Sequence, residues 1–407
     1  MKKIILPLVI LASLALSGCV ANPTKPSNEL SIAAFMDSEF LRSAAKKYED
    51  AHDGVTINIT FYAGEERDVP KYSQIVNTAL MSGKGEDIID VSTITWTKLA
   101  EKEKLLDLNG LVILDSTQYY QNVLDAFIYK DKRYAIPLCF TFETFLFDSA
   151  FTEKEPSADF TIDGLLTLAK KYPDNILFNG GGAGMAQTTL AYRIFCLDFG
   201  NYLDIETKKV NVDNAQFISL LKNIQTLAGR LEIEKRGDTS LIRQYLVYSP
   251  AMTSNGTTDY ANMFFMTNEA GQAAFNTFGF LPAINANSAN KELAADFIQY
   301  LLSQEIQTSP ELISCPVNKD AAAELAKLVF RDVSAGGYAP DGFDDNSLEQ
   351  NIEKFNKLTE RLSLVQNTDR FISDFVTAEM ERYFQGEESA EQAAKNLQSR
   401  LNTYLTE

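Results

Sequence analysis

Apolar positions in the first quarter of the chain change period at regular intervals. Residues 30–35 form an apolar run of strand length, after which Phe40, Leu41, Ala44, Ala45 and Tyr48 fall on one face of a helix. Val55, Ile57, Ile59 and Phe61 then alternate with polar neighbours, as a half-buried strand does. Pro70 suits the first turn of a second helix, with the stripe Tyr72, Ile75, Val76, Ala79 and Leu80 and with Gly83 closing it. Residues 88–91 read as another strand and residues 98–104 as a short helix. This alternation predicts an α/β fold with a mostly parallel, doubly wound sheet. Such sheets take ligands beyond the carboxyl ends of their strands, here at residues 35–38 and 92–96.

The middle third reads as helices over residues 161–172 and 214–227, separated by the glycine-rich run Gly180-Gly181-Gly182-Ala183-Gly184. That run lacks the Lys-Ser/Thr of a phosphate loop and the spacing of a dinucleotide fingerprint, so it reads as a loop at the edge of a domain. In the last third, Ala294, Phe297, Ile298, Leu301 and Leu302 mark one amphipathic helix with Asn290 as its cap. Ala390, Ala393, Leu397, Leu401 and Tyr404 mark the terminal helix.

The first eighteen residues follow a different pattern. Lys2 and Lys3 precede an apolar run from residue 4 to 16, too short to span a bilayer, and a small-residue cleavage site ends it. Leu16-Ser17-Gly18-Cys19 resembles the bacterial lipobox, which implies that residues 1–18 are a lipoprotein signal peptide and that the Cys19 thiol carries the lipid. Two acyl chains there give the stable anchoring that one cannot. Residues 19–28, polar and with two prolines, read as a flexible tether. The expected location is extracytoplasmic, on the outer face of a Gram-positive membrane or the periplasmic side of a Gram-negative one.

Composition narrows the chemistry. Of 407 residues, 55 are acidic and 37 basic, a formal charge of −18 that argues against a nucleic-acid partner. His52 is the single histidine, which removes histidine-based catalysis and metal ligation, and no metal or cofactor is expected. Cys139, Cys196 and Cys315 remain after Cys19 and form no CxxC. With 26 Phe and 17 Tyr against one Trp, rings are available both for cores and for binding platforms.

Six further stretches, in order, carry a family resemblance. They are Gly85-Glu86-Asp87-Ile88-Ile89; Tyr134-Ala135-Ile136-Pro137 with Phe145-Leu146-Phe147-Asp148; Val210-Asn211-Val212-Asp213-Asn214; Pro282-Ala283-Ile284-Asn285 running into Phe297-Ile298-Gln299-Tyr300-Leu301-Leu302; Cys315-Pro316-Val317-Asn318-Lys319; and residues 386–401. Together they resemble the family 1 extracellular solute-binding proteins of ABC importers, the maltose-binding-protein-like receptors. The resemblance implies a two-lobed periplasmic-binding-protein-like fold of type II, each lobe a mostly parallel sheet flanked by helices, with solute held between them. The first lobe would comprise residues 29–138 and 279–314, and the second residues 146–278 and 319–407. Hinge crossings would lie at residues 139–145, 278–280 and 315–318. Cys139 and Cys315 would then sit beside the first and last crossings, either bridged so as to restrain the hinge or as two separate buried thiols.

Sugars need rings for their apolar faces and carboxylates, amides or hydroxyls for their edges. On the first lobe the candidates are Asp37, Thr93 and Trp96, each beyond a strand end. Asp37 serves equally as a helix cap, and Trp96 equally as a core residue. The family's cleft-facing acid aligns near Thr141, with Glu143 as a substitute acceptor. Strand alternation separates Thr141 and Glu143 from Phe140 and Phe142, and the Thr-Glu pair is expected to face the cleft. On the second lobe, Met185 and Gln187 follow the glycine-rich loop. Tyr260 and Phe264 stand where the family often carries tryptophans, and Ser373 falls near another. The lost tryptophans argue against maltodextrin and for a smaller or differently shaped saccharide.

These readings describe a monomeric, lipid-anchored solute-binding component of an ABC importer that delivers a sugar or oligosaccharide to the permease subunits. Alternatives are a binding protein for a polyamine, a peptide or a ferric ion, and a ligand-sensing surface lipoprotein. A two-carboxylate hydrolase has no distinctive spacing in its favour, so the chain does not read as an enzyme.

Overall fold

The computed structural model describes residues 27–63, 68–147, 151, 154–155, 159–174, 178–179, 187–228, 231–232, 241–250, 263–334, 345–366 and 369–406. The signal peptide, Cys19, the glycine-rich run, Met185 and Tyr260 lie outside these residues. The strands are β1 (Glu29–Ala34), β2 (Thr56–Phe61), β3 (Ile88–Asp90), β4 (Ile128–Tyr129), β5 (Lys132–Arg133), β6 (Cys139–Phe147), β7 (Phe178–Asn179) and β8 (Leu203–Asp204). They continue as β9 (Lys209–Val210), β10 (Leu231–Glu232), β11 (Ile242–Val247), β12 (Ala273–Thr277), β13 (Pro282–Ile284), β14 (Cys315–Pro316) and β15 (Leu362–Val365). Two principal sheets result, ordered β13-β3-β1-β2 and β10-β7-β11-β6-β12-β15, and β14 also pairs with β6. β4 with β5 and β8 with β9 form two small hairpins.

The first sheet forms as the periodicity predicts. β1 pairs in parallel with β2 and β3. The Glu39–Ala51 helix buries Phe40, Leu41, Ala44, Ala45 and Tyr48 against the sheet, and Ser38 caps it by accepting the Leu41 N–H. The second helix, Val69–Met81, is capped by Asp68 and rotated from the expected stripe: Val69, Tyr72, Ser73, Val76 and Leu80 are buried while Ile75 is exposed. The Tyr72 hydroxyl, donating to the Asp90 carbonyl at 2.7 Å, fixes that rotation. The next helix spans Trp96–Glu101 rather than residues 98–104, because the chain turns at Glu103, whose φ of +54° ends it. Asn290 occupies the cap position of Lys291–Leu301 without capping it. Its amide instead accepts the Ser27 N–H at 2.8 Å and donates to the Glu29 carbonyl at 2.9 Å, holding the start of β1.

Strand direction organises the second sheet. β6 is antiparallel to β11, β12 and β14, whereas β7, β10, β11, β12 and β15 run the same way. The carboxyl ends of those five strands therefore lie at one edge, the edge where β6 begins. The chain leaves that edge after Thr277 and enters the first sheet as β13, where Pro282 pairs with Asp90 at the carboxyl end of β3. The carboxyl ends of the parallel strands in both sheets thus meet across a common gap, which gives the two-lobed type II arrangement.

Two hydrophobic cores correspond to the two sheets. The first holds Leu30, Ile32, Ile88 and Ala283 and continues onto the Phe140 and Phe142 face of β6, where Tyr120 and Phe355 pack edge-on or stacked against those rings. The second holds Phe145, Phe147, Phe264, Phe217 and Leu397 on the opposite face. β6 is buried on both sides, with Phe142 and Phe145 separated only by the pleat.

Asp90 is the polar tie at the gap. Fully buried, it accepts the N–H groups of Phe35 at 3.2 Å, Ser92 at 3.0 Å and Leu281 at 3.2 Å. Burial pushes its carboxyl up, and the donor N–H groups of Ser92, Leu281 and Phe35 draw it back only in part. One side chain joins the ends of β1 and β3 to the crossing strand. Each buried N–H left unpaired costs about 1–3 kcal/mol, so Asp90→Ala is expected to lower unfolding stability by about 3 kcal/mol or more. Urea unfolding measures it, and a loss below about 1 kcal/mol, within the range of an ordinary surface change, contradicts this role.

Candidate functional site

The strand register assembles the side chains at the gap. Thr141 pairs with Asn276 across β6 and β12, and Glu143 pairs with Leu246 across β6 and β11. These four therefore share one face of the second sheet, and Gln366 follows β15 on the same face with its N–H on the Phe275 carbonyl. Asn276 donates to the Gln366 side-chain oxygen at 3.1 Å. At the carboxyl ends, Leu246, Tyr248 and Phe278 remain 46, 48 and 58 % exposed, unusual for rings and branched chains in such a sheet. Phe278 lies three residues before Leu281, whose carbonyl accepts the Val91 N–H at 2.9 Å.

Glu143 is the acid of this face. Arg193, on the Gln187–Leu197 helix, reaches its carboxylate at 2.6 Å, and the two side chains are only 12 and 18 % exposed. Burial raises the Glu143 carboxyl above its usual range, although the Arg193 charge and a hydrogen bond from Gln244 both act to lower it. The native state therefore binds this proton more tightly than the unfolded chain. Its ionisation erodes stability as pH rises from the ordinary carboxylate value through the raised one. The same helix is anchored by Tyr192, whose hydroxyl donates to the Gln366 carbonyl at 2.6 Å, and by the Cys196 thiol on the same carbonyl at 3.3 Å.

The sequence-based candidates fall into three groups. Thr141 and Glu143 lie together on the polar face, opposite the fully buried Phe140 and Phe142. Asp37, Thr93 and Trp96 follow the strand ends but have different surroundings. Asp37 is exposed and ion-paired to Arg42, while the neighbouring Ser38 supplies the cap. Thr93 is half-buried, and its hydroxyl has no hydrogen-bond partner among the described residues. Trp96 is 5 % exposed and packs against Phe127 and Tyr129, so its ring belongs to the first core and offers no free face to a solute. Gln187 begins its helix, and Met185 and Tyr260 lie outside the described residues. Phe264 is buried in the second core, stacked on Phe145. Cys139 and Cys315 are free buried thiols: the Cys139 thiol meets the Phe278 carbonyl at 3.1 Å, and Cys315 pairs with Phe140 in register.

Arg193, Gln244, Asn276, Gln366 and Phe278 were not anticipated from the sequence. Their common position emerges only from strand pairing, although the acid at Asp90 after two isoleucines was a visible irregularity in an otherwise apolar run. The cluster holds a carboxylate, a guanidinium, three amides and a hydroxyl beside rings, side-chain types that suit a neutral polyhydroxyl ligand. Arg193→Met removes an opposing charge from a buried acid. The Glu143 carboxyl should then titrate at still higher pH, read by carbon-detected NMR of the side chain. A downward shift, or none, contradicts the assigned coupling.

The comparisons with known proteins agree with this architecture. Residues 43–329 match the family described as bacterial extracellular solute-binding protein. The cyclic α-maltosyl-1,6-maltose binding protein of Arthrobacter globiformis superposes with a TM-score of 0.59 at 16 % identity, over 93 % of this chain and 99 % of that one. An ABC substrate-binding protein of Listeria monocytogenes in complex with cycloalternan gives 0.58 at 16 % identity, over 94 % and 100 %. An ABC transporter solute-binding protein of Thermotoga lettingae bound with α-D-tagatose gives 0.55 at 20 % identity, over 93 % and 100 %. No curated protein sequence matches the chain. At these identities the solved structures share the fold, while the family match spans most of the sequence. With a family match over most of its sequence and two sheets whose parallel strands end towards each other, the chain belongs to the bacterial extracellular solute-binding protein family.

Proposed function

We propose that this protein is the extracytoplasmic, lipid-anchored solute-binding component of an ABC importer, and that it captures a sugar or oligosaccharide in the gap between its lobes for delivery to the permease. The observation that carries the reading is the Thr141, Glu143, Asn276 and Gln366 face, flanked by the exposed Tyr248 and Phe278 rings at the carboxyl ends of the second sheet. Hydroxyl edges need acceptors and donors in alternation, and apolar sugar faces need rings. The known ligands of several fold relatives are saccharides, which supports the choice of solute class. The lobe boundaries follow the same reading: residues 29–138 with 279–314 in one, residues 146–278 with 319–407 in the other, and hinges at 139–145, 278–280 and 315–318. The lipid on Cys19 would hold the monomer near its permease.

A thermal-shift screen of mono- and oligosaccharides, with polyamines, peptides and ferric iron as counter-screens, tests the solute class. A true ligand at a hundredfold excess over its Kd adds about 2.7 kcal/mol of stability. Glu143→Gln should abolish the response, and its unliganded melting profile, which the loss of the Arg193 pair is expected to lower, separates lost binding from lost folding. A shift from a counter-screen solute alone ends the carbohydrate reading. Anchoring is tested separately: Cys19→Ser is expected to move the protein from the membrane fraction to the soluble one, and retention in the membrane fraction contradicts lipidation at this residue.

A further inference from the structure

Two groups of contacts join residues of the first core to residues of the second. In one, Lys98 of the Trp96–Glu101 helix donates to the backbone carbonyl of Tyr404 at 2.6 Å and lies 3.6 Å from the centre of its ring. Tyr404 is in the last turn of Ala390–Thr406, so the ammonium meets the negative end of that helix. Thr95 hydrogen-bonds the Tyr404 hydroxyl at 2.6 Å, and that hydroxyl donates to Asp369 at 2.8 Å, the residue that caps Arg370–Phe384.

In the other group, two hairpin tips touch. The β4–β5 tip turns through Lys130 and Asp131 in the left-handed region, at φ +49° and +61°, and the β8–β9 tip does so at Lys208, φ +56°. The Lys130 N–H donates to Glu206 of the second tip at 3.0 Å. Glu101 receives Lys130 and Lys208 at 3.2 Å each, and the Tyr129 hydroxyl at 2.8 Å. Burial pushes the Glu101 carboxyl up, but these three hydrogen bonds outweigh it and hold the group below its usual range. The Trp96–Glu101 helix supplies both groups, with Lys98 at one and Glu101 at the other.

We propose that the Trp96–Glu101 helix is an inter-lobe clasp, in which Lys98 on the terminal helix and Glu101 on Lys208 of the β8–β9 tip together set the closed-to-open equilibrium and hence solute affinity without touching the solute. In this clasp the four crossing contacts, Lys98 and Thr95 with Tyr404, Lys130 with Glu206 and Glu101 with Lys208, belong to the closed arrangement and are lost when the lobes part. A contact made in one state only shifts the equilibrium by its full differential energy. This rests on the two-lobed reading but not on the identity of the solute.

Small-angle X-ray scattering of the full-length protein in detergent, without added solute, tests it across ionic strength. Lys208 is exposed on a hairpin tip, so exchange there leaves the cores intact. Surface ion pairs contribute up to about 1 kcal/mol, so Lys208→Glu should lower the closed-to-open ratio by up to about fivefold, seen as a larger radius of gyration at low salt. Lys208→Arg should match the wild type, and added salt should expand the wild type towards the Glu variant. Equal radii for all three proteins at low salt, or a wild type insensitive to salt, overturn the clasp. Because no sugar is added, failure here leaves the saccharide assignment standing, and failure of that assignment leaves this result unaffected.

Discussion

Strand direction is the constraint on which the rest of this structure depends. Parallel strands in a sheet end on one side, and backbone groups beyond them are the ones free to meet a ligand. Here the chain crosses from the end of β12 to the carboxyl end of β3 within a few residues, between Thr277 and Pro282. That short connection brings the ligand-ready edges of both sheets to one gap. Asp90 makes the junction rigid on the first side, because three N–H groups from three different segments converge on its buried carboxylate. A short crossing tied at its first-sheet end by one buried carboxylate is the kind of connection about which two lobes can turn.

The second consequence is economy in the use of β6. One face of this strand presents Phe140 and Phe142 to the first core, and the other presents Thr141 and Glu143 and then Phe145 and Phe147 to the second. The same face switches from polar to aromatic after Glu143, where it joins the second core. Arg193 stands at that transition: its charge allows an acid to remain where burial disfavours it. The polar cluster is thus built on a central strand and a packed helix rather than on loops, which favours a fixed geometry.

Much of the first lobe was legible in the sequence because its elements are amphipathic and local. The stripe of the first helix matched its buried face residue for residue, and the strands alternated as expected. Thr161 and Asn214 likewise cap the helices that follow them. The failures were those of local reading confronted with distant partners. Ile75 lost its place in the core because the Tyr72 hydroxyl sets the helix rotation from a strand some residues away. Asn290 gave up its cap for the start of β1. Of the two readings open for Trp96, its packing on Phe127 and Tyr129 is that of a core residue. The polar face was half legible: alternation placed Thr141 with Glu143, but only the register of β11, β12 and β15 reveals Leu246, Asn276 and Gln366 beside them.

The central claim is that solute is held between the two lobes and touches both. Hydrogen–deuterium exchange, with and without a saccharide that raises the melting temperature, reports on both sides at once. The account predicts that protection rises together in residues 35–38 and 92–96 of the first lobe and in residues 139–143 and 276–280 at the edge of the second. Protection confined to one lobe, or appearing only on surfaces away from the strand ends, would contradict it.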